Sequence, residues 1–274
     1  MNPLQAAILG IVEGLTEYLP VSSTGHLILV TRFLGLEGEG PDAFAVVIQL
    51  GAILAVLVHY RTLLWQRARG LVTNDPASRS LLVALVVGFV PTAVTGLLLR
   101  KTIKKLLFGP APIAAALVGG GILMIVIELV RSAKAKKEGA PLGLTGLEHV
   151  TWKRALAVGV GQCFSMWPGS SRSMCTIISG QLAGLSTATA AEFSFLLGLP
   201  TLGAATIYEM IKSRQALAGM GLLNVGIGLV ISFLVAWAVI AAFIKYLQRR
   251  GLVPFGIYRI VFGVAIGIVL FRAA

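Results

Sequence analysis

The feature that most limits this chain is a set of apolar runs near membrane-spanning length. Six of them read as full spans, at approximately 43–60, 81–99, 108–130, 193–211, 221–244 and 252–271. A helix needs about 20 mostly apolar residues to cross the hydrocarbon core, and 81–99 carries no charge at all. Composition agrees with these runs. Of 274 residues, 57% are hydrophobic and 12% charged, against roughly 25% charged in soluble domains. So much apolar surface cannot be hidden in a water-soluble fold and would drive association if exposed. The 32 glycines suit close helix packing in lipid.

The net charge is +12. On a soluble chain that balance points to nucleic acid. Here the basic residues lie in short runs between apolar stretches, so they read as topology signals and contacts to anionic headgroups. Membrane lipids are the expected partners, and nucleic acid is not. Cys163 and Cys175 sit in apolar context and read as small membrane residues. The N-terminus lacks a basic stretch followed by a small-residue cleavage site, so the first apolar segment is expected to stay in the mature protein.

Two further apolar regions, 4–34 and 154–184, are interrupted by proline and clustered hydroxyl residues. Their pieces are too short to cross alone. Each fits a re-entrant pair, two short helices that enter and leave on one side, with the break buried in protein or lining a wet cavity. The halves also match one another. Gly10-Ile11-Val12-Glu13 parallels Gly159-Val160-Gly161-Gln162, and Phe44 parallels Phe193, both 149 residues apart. The expected fold is an all-α integral membrane domain over 1–274. It has an inverted-topology repeat with about six transmembrane helices and two re-entrant pairs. The first repeat is 1–140, with the pair 4–34 and three spans. The second is 150–274, with the pair 154–184 and three spans. Three crossings per repeat force inversion, which brings broken helices face to face near the midplane. Loops 61–80, 131–154 and 245–251 hold 13 basic residues against six on the opposing side, so these three are expected in the cytoplasm.

The chemistry-bearing residues gather at the two breaks. Glu13 and Glu17 are four apart and share a helix face. Carboxylates on an apolar membrane helix mark function, although solvation at an interface would also satisfy them. A hard divalent cation with oxygen ligands suits such a pair. Pro20 ends the first helix, and Ser22 or Ser23 can cap the next. A helix N-terminus binds anions, and Thr24 and His26 follow. His26 reads as an acid, base or nucleophile, or as a satisfied buried histidine. At the second break, Pro168-Gly169 is followed by Ser170, Ser171, Arg172 and Ser173, with Thr176 one turn on. Arginine binds phosphate oxygens through two donors; snorkelling to an interface is the plainer alternative. Gln162 stands where Glu13 stands in the first half. Arg259 either serves structure or adds to the anion site. Gln49 reads as an ordinary polar residue near a span end. The mixture fits hydrolysis of a lipid-borne phosphate ester or anhydride, with charge stabilised by arginine and helix N-termini.

The segment Glu13-Gly14-Leu15-Thr16-Glu17-Tyr18-Leu19-Pro20-Val21-Ser22-Ser23-Thr24-Gly25-His26 closely resembles the glutamate-rich signature of the undecaprenyl-diphosphate phosphatase family, also called the bacitracin-resistance family. Pro168-Gly169-Ser170-Ser171-Arg172-Ser173 with Thr176 resembles its second signature, and the resemblance runs the length of the chain. It implies a multi-pass enzyme of the bacterial inner membrane with its site open to the periplasm. The implied substrate is a polyprenyl diphosphate, and the implied product is the monophosphate carrier for cell-wall synthesis. It further implies a divalent cation, Mg or Ca. On the matching positions, Glu13 and Glu17 become metal or catalytic carboxylates and Arg172 the phosphate binder. Ser23 or His26 becomes the nucleophile or base. Ser22, Thr24, Ser170, Ser171, Ser173, Thr176 and Gln162 are candidate substrate contacts. A homodimer stays open. Type 2 phosphatidic-acid phosphatases also use Ser-Gly-His and Ser-Arg elements, but 174–184 lacks the His and Asp that follow there. An inverted-repeat lipid flippase or ion-coupled transporter is the competing expectation.

Overall fold

A computed structural model describes residues 1–36, 38–139 and 141–271. Twelve α-helices account for most of them: α1 (Pro3–Thr16), α2 (Ser23–Phe33), α3 (Glu39–His59), α4 (Arg61–Val72), α5 (Pro76–Leu107), α6 (Pro110–Glu138), α7 (Trp152–Cys163), α8 (Arg172–Leu182), α9 (Thr187–Lys212), α10 (Arg214–Met220), α11 (Leu222–Leu247) and α12 (Val253–Phe271). Among the described residues the β structure is one isolated bridge, Leu144 to Leu185. Five helices are long and apolar enough to cross a bilayer: α3, α5, α6, α9 and α11. The sixth expected span forms α12, whose apolar part, Val253–Val269, falls among the shorter helices.

Several expected loops are helical. Residues 61–72 form α4, α5 continues through 100–107, and α6 continues through 131–138. Charge does not stop a helix in water, because its backbone bonds are internal; it only limits how much of that helix lies in lipid. Asp75 starts α5 by accepting the Ser78 backbone N–H, with Pro76 in the first turn, where its missing N–H costs nothing.

The two interrupted regions fold as pairs of short helices, α1 with α2 and α7 with α8. Their ends follow from proline chemistry. Pro20 cannot donate to Thr16, four residues back, and α1 stops at Thr16. Pro168 cannot donate to Phe164, and α7 stops at Cys163. A short 3-10 turn, Phe164–Met166, follows, and Trp167 is extended, as a residue before proline prefers. Both helices thus end about a turn before the proline itself.

Helix pairing has a regular scheme. α1 packs on α11, and α7 packs on α5; α3 packs on α9, and α6 on α12. Exchanging the two halves of the chain leaves these four pairs unchanged, whereas α3 also packs extensively on α11 and its counterpart, α9 on α5, is a much smaller contact. Glycine permits the close pairs. A Cβ on Gly14 would stand 2.7 Å from the Ser232 carbonyl oxygen, and one on Gly159 would stand 2.4 Å from that of Gly88. The main core joins Tyr18, Ala52, Phe193, Phe195, Ile240 and Phe243 from four different segments. Large apolar side chains such as Leu97, Leu98, Leu222 and Leu223 point outward, as lipid-facing residues do.

Candidate active site

The two breaks meet. Ser173 on α8 donates its hydroxyl to the Leu19 carbonyl in the first break, at 2.9 Å. Each break ends in a serine with left-handed φ, Ser22 at 72° and Ser171 at 71°. A non-glycine residue rarely adopts this conformation. It persists here because each serine caps the next helix, Ser22 accepting from the Gly25 N–H and Ser171 from the Met174 N–H. The strained turn aims two adjacent helix N-termini at one place.

That place is a cavity of about 190 Å³ lined by Glu17, Ser22, Ser23, Thr24, Ser171 and Arg172, together with Gln49, Thr92, Gln162, Ser165 and Thr201. A single chain of contacts organises its charged side. Ser23 donates its hydroxyl to Glu17 Oε2 at 2.7 Å. Arg172 Nη2 donates to Glu17 Oε1 at 3.1 Å. Arg172 Nη1 donates to the Ser194 carbonyl at 2.9 Å and to its hydroxyl at 3.1 Å. The guanidinium also lies over the Tyr18 ring, 5.7 Å from its centroid. The Tyr18 hydroxyl is anchored by donation to the Ala52 carbonyl at 2.7 Å. Serine, carboxylate and arginine are therefore held in one fixed order inside a buried polar pocket.

Other expected residues stand elsewhere. Glu13 is fully buried but does not line the cavity, and neither of its carboxylate oxygens has a hydrogen-bond partner. The His26 ring turns toward α12. Its Nδ1 lies 2.8 Å from the Ser22 carbonyl and its Nε2 lies 2.6 Å from the Tyr258 hydroxyl. A carbonyl only accepts, so Nδ1 carries the proton and Nε2 accepts from Tyr258. The ring also stacks on Phe262 at 4.0 Å. His26 thus buttresses the first break from behind. Thr176 donates to the Arg172 carbonyl at 2.8 Å and meets the Ser194 hydroxyl at 2.6 Å. Thr176, Ser173 and the buried Ser170 do not line the cavity.

Sequence reasoning missed Ser194, Thr92, Ser165 and Thr201, and it read Gln49, which lines the cavity, as an ordinary polar residue near a span end. Thr92 and Thr201 each follow a proline inside a long helix, Pro91 in α5 and Pro200 in α9. The Pro-Thr pair in an apolar run was a readable signal. Ser194 carried only a weak one, its position one residue after Phe193. Arg259 proves structural: it is fully buried and donates to three backbone carbonyls.

As a cation site, the donors fit in part. The two free oxygens of Glu13 and the free Gln162 Oε1 are buried, hard and unpartnered, which is chemistry a divalent cation satisfies. Both Glu17 oxygens already accept hydrogen bonds. Among the described residues no group of three or more His, Cys, Asp or Glu converges.

Fold and cavity together define a class: an all-helical, multi-pass membrane protein with its polar chemistry enclosed between interrupted helices. Within that class the match is specific. Residues 6–265 match the family described as bacitracin resistance protein BacA, and the chain belongs to that family. Among its relatives is an undecaprenyl-diphosphatase of Sorangium cellulosum, 55% identical over 260 residues, covering 94% of this chain and 83% of the relative. Undecaprenyl-diphosphatases of Novosphingobium aromaticivorans, 46% identical, and Thermoanaerobacter pseudethanolicus, 43% identical, cover 96% and 95% of this chain and 96% and 94% of their own lengths.

Proposed function

We propose that this chain hydrolyses the terminal phosphate of undecaprenyl diphosphate, releasing undecaprenyl phosphate for reuse as the lipid carrier of cell-wall synthesis. The observation that carries this reading is the Ser23–Glu17–Arg172 contact chain. A hydroxyl that donates to a carboxylate has its base in place. An arginine beside that carboxylate offers donors to the phosphoryl oxygens. Ser23 Oγ attacks the terminal phosphorus, and Glu17 takes the hydroxyl proton. The bond to the bridging oxygen breaks, and undecaprenyl phosphate leaves with the electron pair. Water then hydrolyses the phosphoserine, giving inorganic phosphate and restoring Ser23. Arg172 and the N-termini of α2 and α8 stabilise the charge on the transferring group. His26 fits the attacking role less well, because its Nδ1 is engaged by the Ser22 carbonyl and its Nε2 by Tyr258 on α12.

A divalent cation, Mg or Ca, belongs to the same reading and would be held by Glu13 and Glu17, with Glu17 giving up one of its two hydrogen bonds to the ion. The unpartnered oxygens of Glu13 support it. Such an ion supplies charge neutralisation on the diphosphate. The arrangement is read as two inverted repeats, 1–140 and 150–274, each with one re-entrant pair and three spans. Its supports are four helix pairings that survive exchange of the halves, α1 on α11, α7 on α5, α3 on α9 and α6 on α12, and the matched left-handed caps Ser22 and Ser171, 149 residues apart. The bacterial inner membrane is read from the family membership, and the basic residues on alternate connections support a cavity facing the periplasm.

The test is purified protein in detergent with polyprenyl diphosphate and Mg, read as free phosphate. Release is expected, and Ser23→Ala should abolish it. No release with any divalent ion would overturn the enzyme reading in favour of a carrier.

A further inference from the structure

We infer that Arg259 is a positioning residue whose guanidinium ties the Pro20 and Gly169 carbonyls together and so sets the spacing between the Ser23–Glu17 and Arg172 halves of the cavity. This rests on the phosphatase reading above.

Arg259 lies on α12 and has no exposed surface. Its Nη1 donates to the Pro20 carbonyl at 3.3 Å, and its Nη2 donates to the Gly169 carbonyl at 2.8 Å and to the Ala116 carbonyl at 3.0 Å. Pro20 belongs to the first break, Gly169 to the second, and Ala116 to α6. Placing a guanidinium in a buried apolar setting is costly unless its donors are paired, and here both terminal nitrogens are paired, with the carbonyls of two irregular break residues and one residue of α6. The Pro20 and Gly169 carbonyls lie outside any helix and would otherwise lack donors in the interior.

The two break carbonyls occupy equivalent places. Pro20 and Gly169 are 149 residues apart, the same offset that relates the caps Ser22 and Ser171 and the residues that follow them, Ser23 and Arg172. Each bonded carbonyl thus lies two residues before a left-handed cap and three before a residue of the contact chain. One planar fork spans both positions at once. A lysine ammonium, a point charge without that fork, does not reproduce it.

The surroundings are shaped for the fork. A Cβ on Gly120 would stand 2.4 Å from Arg259 Nη2, so glycine there leaves the room the guanidinium fills. Gly169 has φ +93°, which glycine adopts without strain. The Ser173 to Leu19 hydrogen bond is the second tie between the breaks, on the α8 side. Arg259 touches none of the reacting groups. It acts through the backbone that presents them, and misplacement by about 1 Å at a reacting centre costs about a hundredfold in rate.

The test compares wild type with Arg259→Lys and Arg259→Met, each purified in detergent, by phosphate release and by hydrogen exchange read by mass spectrometry. The variants should lose about tenfold or more in kcat, with KM within about threefold, because substrate binding survives and alignment does not. Amide exchange should rise in peptides covering 17–23 and 166–172 together, with α3 and α11 unchanged. Unaltered exchange at either break, or wild-type kcat, would overturn the assignment. If those variants do not fold, Gly120→Ala keeps the arginine and displaces its Nη2 end; the same paired change is expected, and wild-type behaviour in that variant overturns the assignment equally. A wild-type protein that releases no phosphate counts against the phosphatase reading alone, since the exchange measurement still decides the role of Arg259.

Discussion

At the scale of single residues, Arg172 is the busiest group in the cavity. Its two terminal nitrogens serve different partners, Glu17 on one side and Ser194 on the other. Losing the planar fork removes that division even when the charge is kept. Arg172→Lys is therefore expected to cut kcat by about a hundredfold, measured as phosphate release at saturating lipid; a variant at half the wild-type rate would exclude two-donor binding. Glu17 accepts from both Ser23 and Arg172, so Glu17→Ala should lower turnover by about a hundredfold or more while the detergent-solubilised protein keeps its helical circular dichroism. Retained activity there would remove the carboxylate from the reaction. Reading these two residues from sequence was straightforward, because charge in an apolar segment stands out. His26 was harder. Its type announces chemistry, but only the fold shows both nitrogens turned to Ser22 and Tyr258.

Among the elements, helix contact is decided by missing side chains. Gly159 places α7 against the Gly88 backbone of α5. That contact also sets the polar wall, because Thr92 donates to the Gly159 carbonyl at 3.3 Å and accepts from Gln162 Nε2 at 2.8 Å. Gly159→Val should force the two helices apart, costing about 1–3 kcal/mol, seen as a lower thermal midpoint in detergent, and should reduce turnover with it. Gly119 in α6 is the contrast, since a Cβ there meets nothing within 4 Å. Gly119→Ala should raise stability by up to about 1 kcal/mol through helix propensity alone. A glycine-rich apolar sequence does not say which glycines are contacts and which are free. The helix boundaries are partly legible: proline explains the ends of α1 and α7, whereas the charged tails of α5 and α6 read as loops in the sequence, because charge ends the membrane span without ending the helix.

For the molecule as a whole, orientation is the property most open to test. Exposed Thr73, just after α4, and exposed Gln215, in α10, flank different ends of the spanning helices. In a cysteine-free background, Gln215→Cys on intact cells should react with a membrane-impermeant maleimide and Thr73→Cys should not. The reverse pattern would turn the cavity to the cytoplasm.

The solvent, the number of membrane spans to within one, the two interruptions and the residues of the Ser23–Glu17–Arg172 chain were all legible in the sequence. Those follow from local physics: apolar length, proline geometry and the cost of charge in lipid. Tertiary structure alone decided that the breaks touch, that His26 faces away from the cavity, that Glu13 keeps two unpartnered oxygens, and that Arg259 holds backbone. Each of these depends on residues roughly 150 or more apart in sequence, or on the direction in which a side chain leaves its helix, and neither is encoded in a local pattern of residues.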